Sequence, residues 1–159
     1  MQLSTRGRYA VMAMVELAGR QARTGRCTPV ALAEVAATQQ LSLCYLEQLF
    51  GGLRRAGLVA SARGPGGGYR LTRSACAISI AAIIGAVDEP IRATRCTIGT
   101  AGCQRDAAGA HVPCRTHVLW DELGRQIRLF LEGVSLADVL EDRVQGRACP
   151  ILAAESLPA

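Results

Sequence analysis

Lysine is missing from this chain: all 18 basic residues are arginine. Composition bias of the genome would produce that. Its physical consequence is that every side-chain cation is a planar guanidinium, a shape that suits phosphates and guanine edges. Long apolar stretches are lacking too. No run of 18 apolar residues occurs, which excludes a membrane-spanning helix. The opening residues, Met1 to Arg8, hold no apolar segment with a small-residue cleavage pattern. No secretory signal is therefore expected, and the expected location is cytoplasmic. No Ser/His/Asp set or paired carboxylates stand out, so nothing supports catalysis. The seven cysteines cannot all pair. In a reducing compartment an odd number argues for ligation or thiol chemistry rather than a disulfide scaffold.

At 159 residues the chain is one domain, or one domain with an appendage. Its net charge of +5 is unevenly spread: residues 1–75 carry +7 and residues 76–159 carry −2. The basic half is the candidate for a polyanion. Val11, Met14, Val15 and Ala18 predict a helix over residues 5–20, capped by Thr5 and with Gly19 near its end. Arg6, Arg8 and Tyr9 fall in its first turn, where backbone N–H groups also favour anions. They are candidates for a DNA phosphate, or simply for a solvated turn.

Thr28-Pro29 opens a second helix, with Val30, Ala33, Ala36 and Ala37 on its apolar side and its end around Gln39-Gln40. After a short turn at Leu41, Ser42 caps a third helix from Leu43 to about Ala56. Helix, tight turn, helix is the spacing of a helix-turn-helix, whose second helix lies in the major groove. Leu46, Phe50 and Leu53 would face the core. Cys44, Gln48, Gly51 and Arg55 would face outward, with Glu47 beside them. Gln can read adenine, and Arg can read guanine or phosphate. The same face can also be merely solvated. The Gly51-Gly52 pair inside a helix costs roughly 1 kcal/mol for each glycine; the sequence gives no firm account of it, with close packing or backbone approach as the candidates.

Leu58 to Ala62 and Tyr69 to Thr72 read as two strands around the turn Arg63-Gly-Pro-Gly-Gly-Gly68. A hairpin with a basic, glycine-rich tip directly after a recognition helix makes a winged helix. Arg63 at the tip suits a narrow minor groove. A nucleotide loop would need a helix after the glycines, where a strand follows here. Ser79 then caps a fourth helix over residues 80–87, which Asp88-Glu89-Pro90 stops.

Cys96, Cys103, Cys114 and His117 follow within 22 residues, spaced C-x6-C-x10-C-x2-H. The segment between them has almost no apolar periodicity, so a core cannot order it. Four such donors suit a transition metal or an iron–sulfur cluster. Zinc accepts three Cys and one His, but structural zinc sites generally use C-x2-4-C spacing. His111 inside the loop and Cys149 in a Cys-Pro pair are further donors, while Cys27 and Cys76 read as small residues near connections. The longest helix runs from His117 to Gly133, with Trp120, Leu123, Ile127, Phe130 and Val134 at a/d spacing and Leu119 and Leu131 widening the stripe. Such a seam needs a partner: its own domain or, the favoured reading, a second copy of the chain, which would match a two-fold operator. Ser135 to Asp138 starts a short last helix with a capping-box pattern.

The motifs Ser4-Thr-Arg-Gly-Arg-Tyr-Ala-Val11, Leu43-Cys-Tyr-Leu-Glu-Gln-Leu-Phe50, Arg63-Gly-Pro-Gly-Gly-Gly-Tyr69, Ala93-Thr-Arg-Cys96 and Cys114-Arg-Thr-His117 are specific together. Over Met1 to about Glu141 the chain resembles the bacterial iron–sulfur-cluster assembly regulators, winged-helix transcription factors. That resemblance implies a homodimer with a [2Fe–2S] cluster on Cys96, Cys103, Cys114 and His117, supplied by the iron–sulfur assembly machinery. It implies repression of the cluster-assembly operon by the loaded form, and different operators for loaded and empty forms. By the same resemblance Gln48 and Arg63 match base- and groove-contacting positions, and Glu47 matches a residue that discriminates between operator classes; the whole expected DNA-facing set is Arg6, Arg8, Tyr9, Cys44, Tyr45, Gln48, Arg55, Arg63 and Gly66. Cys44 stands where the family has Ser, and the second ligand gap is longer than the family's, an insertion that a loop absorbs at small entropic cost.

The expected fold is mainly α with a small β-hairpin wing: a winged helix-turn-helix over residues 1–90, a cluster-binding loop over 91–117, a dimerisation helix and short last helix over 117–142, and a flexible tail over 143–159. The expected function is a DNA-binding regulator sensing cluster status. The alternatives are a related regulator sensing nitric oxide, iron or thiol redox state, a zinc-stabilised DNA-binding protein, and an iron–sulfur carrier or enzyme.

Overall fold

The computed structural model describes residues 5–24, 28–87, 104–105, 109, 111–112 and 114–144. Helix α1 spans Thr5–Thr24 and runs a turn beyond the expected end. Arg20 explains the extension. Its guanidinium donates to Glu16 at 2.6 Å, to Glu34 at 2.6 Å and to Thr38 at 2.9 Å, so the C-terminal turn is pinned to the next helix. Gly19 does not end the helix; it lies against the Leu140 side chain, where a Cβ would be 3.4 Å away. The fully buried face is Ala10, Ala13, Met14 and Leu17, with Val11 and Val15 on its half-buried edge.

Helix α2 spans Leu32–Gln39, three residues after Pro29. The expected start at Thr28-Pro29 fails because Val30 is claimed by the wing. Val30 and Tyr69 exchange backbone hydrogen bonds of 2.9 and 2.8 Å, so Val30 acts as a one-residue third strand. The helix also turns a different face inward from the one expected. Leu32, Val35 and Ala36 are buried, whereas Ala33 and Ala37, expected inside, are exposed.

Helix α3 spans Leu43–Arg55 and buries Leu46, Leu49, Phe50, Gly52 and Leu53. Ser42 holds the N-cap position, but its side chain makes no capping bond. Gly52 now has its reason. A Cβ there would lie 2.5 Å from the carbonyl oxygen of Ala86, in helix α4 (Ile80–Ala86). Backbone cannot yield as a side-chain tip can. Gly52→Ala should therefore destabilise the fold by about 1–3 kcal/mol, and Gly51→Ala, which meets nothing within 4 Å, should not. Thermal melts of the two variants would separate these outcomes.

Strands β1 (Val59–Ala62) and β2 (Gly68–Leu71) form the antiparallel wing, in register Val59↔Leu71 to Ala62↔Gly68. A 3₁₀ turn at Ala75–Ala77 leads to α4, whose Ser79 accepts a capping bond from Ala82 N–H. Gln21 was not foreseen. At 3% exposure its amide donates to Thr28 O at 3.0 Å and accepts from Leu71 N–H at 3.1 Å, so one buried polar group binds α1, the α2 approach and the wing. Phe50 meets Tyr69 edge to face at 4.9 Å, which seats the wing on α3. Burial of each large side chain in this core contributes about 1.5–3 kcal/mol.

Helix α5 spans His117–Gly133 and α6 spans Leu136–Leu140. Their junction is tied to the DNA-binding half: Ile80 N–H donates to Val134 O at 2.9 Å and Leu136 N–H donates to Ile78 O at 2.8 Å. The capping box at Ser135 and Asp138 forms as expected. Hydrogen bonds from the Ser135 hydroxyl and then its backbone N–H hold the Asp138 carboxyl below its ordinary 3.8. A depressed carboxyl stabilises the fold above its unfolded-state pKa, and that stabilisation is lost as pH falls through the folded value. Asp138→Ala should therefore narrow the drop in melting temperature between neutral and acid pH; an unchanged drop would contradict this. Asp88 to Pro90, Cys27, Cys149 and residues 145–159 lie outside the described residues.

Candidate nucleic-acid interface and metal centre

The outer face of α3 carries Cys44, Glu47, Gln48 and Arg55, all exposed. Arg54 adds a second exposed cation at the same end, outside the face expected from Cys44, Gln48, Gly51 and Arg55. The N-terminus of α1 meets that of α3 through aromatic contacts. Tyr9 and Tyr45, both half-buried, pack edge to face at 6.1 Å, and the Arg8 guanidinium sits 5.3 Å from the Tyr9 ring centre. A cation over a ring face is attracted by the ring quadrupole, so Arg8 is held next to the recognition helix. Arg6 is exposed on the same turn. Glu47 makes no ion pair with the described residues.

The wing tip is built for glycine. Gly64 and Gly66 have φ of +97° and +73°, and Gly67 N–H closes the turn on Gly64 O at 2.9 Å. Arg63 and Gly66 are exposed there. The structure thus places the first turn of α1, the outer face of α3 and the wing tip as three exposed basic segments joined by Tyr9, Tyr45, Phe50 and Tyr69.

Of the four ligand candidates, Cys96 and Cys103 lie outside the described residues. Cys114 is half-buried, with its thiol 3.5 Å from the Thr116 hydroxyl. His117 is 5% exposed and is the first residue of α5; its backbone N–H donates to Cys114 O at 2.9 Å. One turn of chain thus sets a thiol and an imidazole at the head of the longest helix. Between Cys103 and Cys114 lies an unforeseen hairpin, β3 (Gln104–Arg105) against β4 (His111–Val112). Within the second gap, Gln104 pairs with Val112 and Arg105 with His111, so its two described ends lie side by side. A buried imidazole and a half-buried thiol one turn apart fit half of a soft or borderline metal site. Among the described residues no three such donors gather.

The sequence profile of the Rrf2 family, iron-dependent transcriptional regulators, matches residues 3–142. The chain belongs to the Rrf2 family. It is 48% identical over 162 residues to the putative HTH-type transcriptional regulator ORF2 of Azotobacter vinelandii, covering 95% of this chain and 93% of that one. It is 45% identical over 161 residues to the HTH-type transcriptional regulator IscR of Photobacterium profundum, covering 99% and 88%. The solved structure of T. potens IscR superposes with a TM-score of 0.68 at 33% identity, covering 89% of this chain and 88% of that one. This Rrf2 protein is therefore a DNA-binding transcription regulator of an iron-dependent family, and not an enzyme. No helix of the described residues is long and apolar enough to cross a membrane.

The expected seam on α5 divides in two. Trp120 and Phe130 are exposed, together with Val118, Leu119 and Leu129, while Leu123 and Ile127 are half-buried. Val134 is 7% exposed and belongs to the chain's own core, because the Ile80–Val134 bond pulls it under α4. The outward apolar face is thus rotated from the a/d stripe and lacks Val134.

Proposed function

We propose that this Rrf2 regulator senses iron–sulfur cluster status through a [2Fe–2S] cluster held by Cys96, Cys103, Cys114 and His117. It controls cluster-assembly genes, mainly as a repressor of its own operon. The observation that carries the reading is the Cys114–His117 turn at the head of α5. It sets a thiol and a buried imidazole beside a hairpin whose two strands lead to Cys103 and Cys114. When bound, the cluster supplies a charge and ligand bonds that respond to iron, sulfide and oxidants. The chain's own part is to translate occupancy of that turn into a position of α5. The Val134 and Leu136 backbone bonds to Ile80 and Ile78 carry that position to α4, and Gly52 packs α4 directly on the recognition helix.

The proposed active form is a homodimer joined along α5 and bound to a double-stranded operator in the cytoplasm, with the iron–sulfur assembly machinery as cluster donor. Arg6, Arg8, Tyr9, Cys44, Tyr45, Gln48, Arg55, Arg63 and Gly66 face the DNA, and Glu47 discriminates between operators. Arg63→Ala should lower the slope of log affinity against log salt by about one per protomer, or about two for the dimer, as read in operator titrations.

The deciding experiment is an absorbance spectrum of anaerobically purified protein with iron and sulfide assays. Visible charge-transfer bands with about two irons and two sulfides per chain are expected. A colourless protein with about one zinc per chain would overturn the cluster and leave a metal-stabilised DNA-binding protein.

A further inference from the structure

An open cleft of about 510 Å³ lies between the C-terminal half of α1, the base of the wing and α6. Its size falls within the range of small-molecule sites, about 300–1,000 Å³. Arg70 enters it from β2, Arg73 from the turn after the wing, and Arg143 from the residues after α6. One carboxylate, Glu141, shares the lining, and Arg143 donates to it at 2.6 Å. Arg70 and Arg73 meet no carboxylate among the described residues. We propose that this cleft binds a small polyvalent oxyanion, a dicarboxylate or a phosphate.

Three features support the assignment. The cleft carries two guanidiniums in excess of its carboxylate, and paired guanidiniums bind oxyanions by charge-assisted hydrogen bonds. Its wall is fixed, because the buried Gln21 amide joins α1 to Leu71 of the wing. Its lining includes none of Arg6, Arg8, Gln48 or Arg63, so it is separate from the DNA-facing set. A smaller cleft of about 250 Å³ beside Arg20 makes the contrast. There Glu16 and Glu34 pair with Arg20, so the lining offers the single guanidinium of Arg23 rather than two. An anion held by Arg70 and Arg73 would sit between the wing base and the paired Arg143 and Glu141 after α6, giving the regulator a second input.

Cys76 provides the readout, since its exposed thiol lines the cleft 3.1 Å from the Ser74 hydroxyl. The full-length protein would be titrated by calorimetry with inorganic phosphate and, separately, with succinate, against sodium chloride at matched ionic strength. Alkylation of each cysteine by the neutral reagent N-ethylmaleimide would be followed by peptide mass spectrometry. Saturable binding of at least one probe is expected, weakened about tenfold or more in the Arg70→Ala/Arg73→Ala double variant. The bound probe should slow alkylation of Cys76 and leave Cys44 unchanged. Heat that survives the double substitution, or loss of binding in Arg63→Ala instead, would overturn the proposal. An unprotected Cys76 would overturn it as well. None of these readouts depends on a cluster being present, so failure here leaves the cluster reading intact.

Discussion

Cys114→Ala should remove the visible bands of the anaerobically purified protein and bring iron and sulfide to background, while the chain stays folded. The fold survives because the hydrogen bond that starts α5 uses the carbonyl of residue 114 and the N–H of His117, and alanine keeps both. Cys76→Ala should keep the bands, since Cys76 lies against α6 and the wing base. His117 requires a different substitution. It is buried, so alanine would leave a cavity and confuse loss of ligand with loss of packing. His117→Cys keeps a donor in place. Replacing imidazole by thiolate adds negative charge, so the bands should shift and the reduction potential should fall, by on the order of 100 mV or more. Retention of full iron and sulfide by Cys114→Ala would sink the ligand set. So would an unchanged potential in His117→Cys.

Local periodicity made most of the helical frame legible. His117–Gly133 and the recognition helix follow from apolar spacing and flanking glycines, and both appear within a residue of the expected bounds. The wing followed from its glycines. Long-range pairing was not legible. Val30 reads as part of a helix until Tyr69, far along the chain, takes both of its backbone groups. Gln21 reads as a polar surface residue until the wing delivers Leu71 N–H to it. The Gly51-Gly52 pair was visible as an oddity without a firm account, because the carbonyl that singles out Gly52 is that of Ala86 in another helix. In the candidate metal centre the Cys and His pattern was visible from spacing alone. The hairpin inside the second gap was not, because two-residue strands carry too little alternation to register.

Phe130→Asp and Leu119→Asp should each turn a dimer into a folded monomer. Both positions are open in the single chain, at 43% and 60% exposure, so a carboxylate there costs the protomer little. Buried in a helix–helix interface, the same carboxylate has no partner and carries a large desolvation cost. A monomer reaches only one half-site, so the loss of bivalency should weaken binding to a two-fold operator by about 10²–10⁴. Sedimentation and operator titrations would read the two effects. Val134→Ala is the contrasting variant. Val134 is at 7% exposure and sits under α4, so its truncation should lower the melting temperature and leave the oligomeric state unchanged. A Phe130→Asp protein that still sediments as a dimer would move the interface off this face of α5. The apolar surface at Val118, Leu119 and Trp120 would then be the cover of the Cys114–His117 turn rather than the dimer contact.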